Sequence, residues 1–306
     1  MKLLILGIAL LLSSNSYSQT KTELERINFF PKADAFAVAR YTHQLFKIDT
    51  PQASLNTKEV NNHSNLLALS YAHRFAGRLY VGVTGYFEEA SENAVRYGIP
   101  LKRRFNSTGF KEPELFAFYR LREQNEDHGL IDLSLSYSPK GGVREVGYDN
   151  SNRVNGRPIT RFGIAHGLWE EEWEFRTSLF YHYYGEGMEK NNFTPNSNFY
   201  LEVYQDLIFK FQAQHRLNPW LFAHATIGII YRTTQDITDN QNDQREIQAG
   251  TGSYVQAGFN IPLSQWTVLE INYAMTRNDY FVKGAVVNLE GRERVQDFSL
   301  ATKLAF

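Results

Sequence analysis

The sequence predicts an all-β fold: a transmembrane antiparallel up-and-down barrel of about 12 strands, preceded by a cleaved signal peptide. Three observations predict it. Short segments alternate apolar and polar residues along the whole chain. Aromatic residues are dense, with 18 Tyr, 22 Phe and 4 Trp, although only 42% of the residues are hydrophobic. Short and long connections alternate strictly. A period of two sends successive side chains to opposite faces, so only half of each strand has to meet lipid and overall hydropathy stays low.

The amino terminus reads as an export signal. Met1-Lys2 is a basic start, Leu3 to Leu12 an apolar run too short to cross a bilayer as a helix, and Ser13 to Ser18 a small-residue stretch with a cut after Ser18. The expected organisation is a signal peptide over 1–18, a periplasmic lead-in over 19–32 and the barrel over 33–306. The chain has no cysteine, which removes a lipid anchor at the cut, a disulfide framework and a thiolate site. At the other end Phe298, Leu300, Thr302, Leu304 and Phe306 share one face, opposed by Asp297, Ser299, Ala301, Lys303 and Ala305. This last strand, tipped with phenylalanine, resembles the closing strand and assembly signal of bacterial outer-membrane barrels. The resemblance implies the outer membrane of a Gram-negative bacterium, with the barrel assembly machinery as a partner during biogenesis.

In order, the expected strands cover 33–48, 65–75, 78–87, 114–122, 131–138, 159–168, 173–183, 199–214, 220–234, 247–261, 266–277 and 294–306. The second and third form a tight hairpin at Ala76-Gly77, with Leu67, Leu69, Tyr71 and Phe75 facing outward beside Leu79, Val81, Val83 and Phe87. The fifth is the cleanest: Ile131, Leu133, Leu135 and Tyr137 alternate with Asp132, Ser134, Ser136 and Ser138. Short turns fall at 76–77, 123–129, 169–172, 217–219 and 262–265; the polar stretches between, such as 88–113 and 139–158, read as long loops. An even strand number with this asymmetry puts the short turns on the periplasmic side. Trp169, Trp173, Trp220 and Trp266 sit beside short turns, whereas Tyr86, Phe87, Tyr137, Tyr183, Tyr184, Phe199, Tyr200 and Tyr231 crowd the opposite ends. Two aromatic belts at the two membrane interfaces are the expected reading, with Trp169, Trp173, Trp220, Trp266, Tyr137, Tyr183 and Tyr231 as interface residues.

The polar faces of these strands carry both signs of charge. The candidate lumen residues are Arg40, Arg74, Arg78, Glu114, Arg120, Arg122, Asp132, Arg161, Glu174, Arg176, Glu202, Asp206, Lys210, Arg232, Glu270, Asp297 and Lys303. Such a wall either solvates a water-filled path or pairs across it and closes it. With 32 Lys+Arg against 33 Asp+Glu, no basic field for nucleic acid exists. The strand pair Glu114 to Leu121 and Leu133 to Pro139, ending Ser-Tyr-Ser-Pro, resembles outer-membrane transporters associated with aromatic-degradation operons. That resemblance implies transport.

The functional expectation is a porin-like channel for passive diffusion or uptake of small solutes, in contact with outer-membrane lipids and lipopolysaccharide and without a cofactor or metal. Two alternatives stand beside it: a barrel-embedded lipid hydrolase, and a non-conducting barrel that presents binding loops. Asn62-His63-Ser64-Asn65 looks like a hydrolase set, but neighbouring strand residues point to opposite faces, so His63 cannot serve Ser64 as a base. His182 and Ser178 share a face yet lie four residues apart, about 13 Å along a strand. Neither Asp149 to Asn152 nor Asp236 to Glu246 matches a calcium loop. No catalytic residue is assigned.

Overall fold

This computed structural model describes residues 33–49, 60–95, 102–125, 128–146, 153–191, 197–239, 244–264, 266–284 and 288–306. The expected signal peptide and lead-in, 1–18 and 19–32, lie outside the described residues. In chain order the strands are β1 (Ala35–Asp49), β2 (Val60–Ala76), β3 (Leu79–Val95), β4 (Lys102–Arg122), β5 (Leu130–Ser138), β6 (Arg144–Val146), β7 (Ile159–Glu170), β8 (Trp173–Tyr184), β9 (Gly187–Asn191), β10 (Ser197–Leu201), β11 (Tyr204–Asn218), β12 (Leu221–Arg232), β13 (Gln235–Asp239), β14 (Gln244–Ile247), β15 (Gly250–Ser264), β16 (Thr267–Gly284) and β17 (Asn288–Ala305).

Twelve of these form one closed ring of antiparallel neighbours, β1-β2-β3-β4-β5-β7-β8-β11-β12-β15-β16-β17. The seam is the β1–β17 ladder, from Phe36↔Ala305 to Asp49↔Arg292. Its lower edge is finished by the last residue, whose N–H donates to the Ala35 carbonyl at 2.9 Å while its own carbonyl accepts from Asp34 N–H at 3.0 Å. No backbone group along this seam is left facing lipid, which offers it no partner.

Alternation sorts the side chains. Leu69, Tyr71, Val81, Val83, Leu115, Leu135, Phe162, Leu179, Phe209, Ile227, Ile229, Val255, Tyr273 and Phe298 stand exposed on the outside, Ile229 at 61% and Leu135 at 51%. An apolar surface of this extent, running round every wall strand, is a lipid-facing belt rather than a soluble surface. Inside, small residues let aromatic rings lie flat on the wall. A Cβ at Gly163 would meet Ser134 Oγ at 2.4 Å and the Phe180 ring at 2.6 Å, and one at Gly82 would meet Phe116 at 2.5 Å. Gly77 closes the β2–β3 hairpin at φ 50°, a left-handed conformation that glycine adopts without strain.

The strands differ from the expected spans in an orderly way. The stretch 88–113, read as a loop, is largely a ribbon: β3 and β4 stay paired from Thr84↔Glu114 out to Val95↔Lys102. Above the bilayer neither face needs to be greasy, so the two-residue signature fades while the ladder continues. The expected strand 199–214 is split at 202–203 into β10 and β11. The loops at 185–197 and 235–246 hold β9, β13 and β14, and β6-β9-β10-β13-β14 form a second tier that rejoins the wall at β16.

The closed wall sets a cost for misplaced charge. Ile229→Arg, in the lipid-facing belt of β12, is expected to lower folding stability by about 2–4 kcal/mol. Reversible denaturant unfolding in phospholipid bilayers reads it; an unchanged midpoint would mean that this face does not meet hydrocarbon.

Candidate functional site

The inward faces of the wall strands hold most of the charge. Three groups form the short-turn half. Arg120 on β4 clamps Asp132 on β5 through Nε–Oδ1 at 2.6 Å and Nη2–Oδ2 at 3.2 Å, and Arg176 on β8 reaches the same carboxylate at 2.6 Å. Asp132 is 1% exposed and Arg120 3%. Glu270 on β16 accepts from Arg40 at 3.0 Å and from Lys303. At the floor, Arg74 Nη2 donates to the Ala33 carbonyl at 2.8 Å, and the buried Tyr80 hydroxyl donates to the same oxygen.

Nearer the long loops, Arg161 on β7 meets Glu114 on β4 at 2.8 Å, with the Tyr86 hydroxyl donating to that carboxylate at 2.7 Å. Arg232 on β12 grips Asp206 on β11 in bidentate fashion, at 2.8 and 3.0 Å. Each of these wall pairs joins adjacent strands or strands one apart, so the attraction runs along the wall and not across the diameter.

Other candidates lie at the mouths. Arg78, in the β2–β3 turn, stands 3.8 Å from Glu123, and Arg122 Nε donates to the Gly129 carbonyl at 2.8 Å. Glu202 is exposed at the break between β10 and β11; its N–H donates to the Asp236 carbonyl. Glu174 is buried on β8. Trp173, Trp220 and Trp266 are exposed beside short turns, as are Tyr137, Tyr183 and Tyr231 on the outer face of the opposite strand ends. The Trp169 backbone is held by the Gln124 side-chain amide, whose N–H donates to the Trp169 carbonyl and whose oxygen accepts from the Trp169 N–H, both at 2.8 Å. Phe298 and Phe306 are exposed on the outer face of the last strand, and Leu300 and Leu304 lie half-buried beside them. Tyr86 and Tyr184, grouped with the outer belt by sequence, turn inward instead: each follows or precedes an outward aromatic by one residue, and the strand period forbids both from facing lipid.

The segment 153–158, an external loop by its sequence, folds against the inner wall. Arg153 Nε donates to Glu88 at 3.0 Å and its Nη1 to Ser107 at 3.1 Å. Glu112 accepts from the N–H groups of Asn155 at 2.8 Å and Gly141 at 2.9 Å. Arg157, buried, lies 5.2 Å over the Tyr204 ring, which stacks on Tyr184 at 4.2 Å. Burial holds its guanidinium below the usual arginine value. Nothing in the polar composition of 139–158 distinguishes an inward loop from an outward one; only the buried carboxylates awaiting it do.

Two sizeable cavities lie among the described residues. The outer one, about 480 Å³, is lined by Glu88, Lys111, Arg153, Arg157, Tyr184 and Tyr204 among others. The inner one, about 500 Å³, is lined by Arg40, Arg176, Lys210, Tyr254, Glu270 and Lys303 among others. β11 passes both, Tyr204 at the outer and Lys210 at the inner, six residues or about 20 Å further along the strand. Among the described residues no group of His, Asp and Glu is placed to hold a metal ion.

The same architecture occurs in solved structures. An outer-membrane channel of Pseudomonas putida F1 superposes with a TM-score of 0.59 and 12% identity, over 94% of this chain and 100% of that one. The fold is that of a Gram-negative outer-membrane barrel. The transport unit of the autotransporter AIDA-I from Escherichia coli gives 0.57 and 10% identity, over 98% of this chain and 97% of that one. Neither the family models nor the curated proteins give a match. With its apolar outer belt, this barrel resides in the outer membrane.

Asp132 holds two arginines at once, so its loss takes a carboxylate partner from Arg176 and leaves Arg120 with the longer contact to Glu123 at 3.4 Å. Asp132→Ala is expected to destabilise the barrel by about 3–5 kcal/mol, whereas replacing Asp132, Arg120 and Arg176 together by leucine and methionines should recover most of that loss. Urea unfolding of the variants decides it; equal loss in single and triple variants would mean that the cluster acts by packing alone.

Proposed function

We propose that the barrel is a passive channel for small water-soluble solutes. The observation that carries this reading is the pairing pattern inside. Most charges that could have met across the lumen are paired along the wall, and two sizeable cavities with charged side chains in their linings lie one beyond the other within it. A narrow path lined by fixed charges of both signs sets a transverse field that small polar solutes tolerate and apolar ones do not. The segment 153–158 narrows the outer half, held there by Arg153 and Glu112.

The likeness to a channel in fold supports the reading without supplying a substrate. A second reading follows from the β2–β3 register, which sets His63 directly opposite Ser91, while His43 Nδ1 lies 2.8 Å from Asn65 Oδ1 and its ring 6.4 Å from that of His63. Serine, two histidines and asparagine on one side of a barrel could act on lipid esters.

Purified protein in planar bilayers is expected to show stepwise conductance and no phospholipid hydrolysis. Silence in the bilayer together with ester cleavage that disappears in Ser91→Ala would replace the channel by the hydrolase. Arg153→Ala, which unties the inward segment, is expected to raise single-channel conductance by about twofold. An unchanged current would place the constriction elsewhere.

A further inference from the structure

We propose that the inner cavity is a binding station for small organic monocarboxylates, with the Lys210 ammonium as the group that receives the anion. The proposal names a solute class for the channel and so rests on that reading. Four cations line this cavity, Arg40, Arg176, Lys210 and Lys303, against two carboxylates, Glu270 and Asp297. Glu270 is engaged by Arg40 and Lys303, and Arg176 by Asp132. Asp297 accepts from the Gln44 amide at 2.9 Å.

Lys210 is different. Among the described residues no carboxylate touches it; its ammonium lies 4.2 Å from the centroid of the Tyr254 ring and 5.8 Å from that of Phe180. Ring faces attract the charge but leave the three N–H donors of an ammonium without an acceptor. A half-buried cation in that state carries a desolvation cost, and an anion arriving from the lumen relieves it. One uncompensated ammonium matches a monovalent carboxylate. A phosphate or sulfate dianion is better served by forked arginines, and the arginines here already grip carboxylates.

The surroundings favour an organic anion over a halide. A cavity near 500 Å³ lies within the range of about 300–1,000 Å³ in which proteins hold small molecules. The rings of Phe118 and Tyr254 in its lining offer a carbon skeleton contact next to the cation. The outer cavity has the same excess of sign, with Lys111, Arg144, Arg153 and Arg157 against Glu88 and Glu189, so a field that draws anions inward begins before the station.

The test uses the full-length barrel, with benzoate as the anionic probe and benzamide as its neutral isostere. In planar bilayers under a KCl gradient the wild type is expected to prefer chloride over potassium by about threefold. Benzoate should reduce the chloride current and benzamide should not; Lys210→Gln should lose both preference and block, and Lys210→Arg should keep them. Retention of fold in both variants is read from the heat-modifiable gel shift. Cation preference, equal block by the two probes, or undiminished block in a folded Lys210→Gln overturns the carboxylate station and leaves the channel standing. If no current appears at all, calorimetric binding of benzoate to the detergent-folded wild type, lost in Lys210→Gln, upholds the station while the channel reading falls; absence of binding overturns it.

Discussion

Hydrocarbon offers no hydrogen-bond partner, and the rest of this structure follows from that constraint. An open sheet in a bilayer would leave unpaired N–H and C=O groups along each of its two edges, each group costing several kcal/mol. The β1–β17 ladder removes both edges at once. Once the sheet is closed, the strand period assigns one set of side chains to lipid and the other to an enclosed space. The outside then has to be apolar, and everything polar on the wall strands must find its partners inside.

That second requirement shapes the interior. A carboxylate on one strand is nearest to cations on its neighbours, and the resulting pairs, Arg120 with Asp132, Arg161 with Glu114 and Arg232 with Asp206, are short and run around the circumference. Pairing along the wall satisfies these charges without filling the axis. Bulk inside is supplied differently, by aromatic rings lying over glycines and by the segment 153–158 hooked onto Glu88 and Glu112. The wall is thus structural and the inserted segment adjustable, since removing the segment's tethers breaks no strand ladder.

The sequence was legible where the bilayer imposes two unlike faces. Leu133, Leu135 and Tyr137 against Asp132, Ser134 and Ser136 name a strand and its two sides without any structure. Beyond the membrane the same backbone is wet on both faces, which is why the β3–β4 ribbon past Glu88 and Thr108 read as a loop. Inner partners were hidden for another reason. Asp132 finds Arg120 through register and Arg176 by skipping a strand, and neither relation is a spacing in sequence. Tyr184 could have been placed, because Tyr183 already claims the outward side. The inward course of 153–158 could not, since its arginines look like those of any solvated loop.

Lys210 shows how far the sequence can lag behind the site. In the chain it is one more basic residue on an alternating strand, equivalent to Arg232 across the same hairpin. Closure makes them opposites: Arg232 lands within reach of Asp206, whereas the strands beside Lys210 present Phe180, Ser178, Gly228 and, one further on, Tyr254. A barrel that needed only neutrality could have put a carboxylate at any of those positions, since the wall does so for Arg120, Arg161 and Arg232. Setting aromatic faces there instead keeps the ammonium inside the lumen without using up its charge. We infer that a cation held in place but not neutralised is what draws an anion into the lumen.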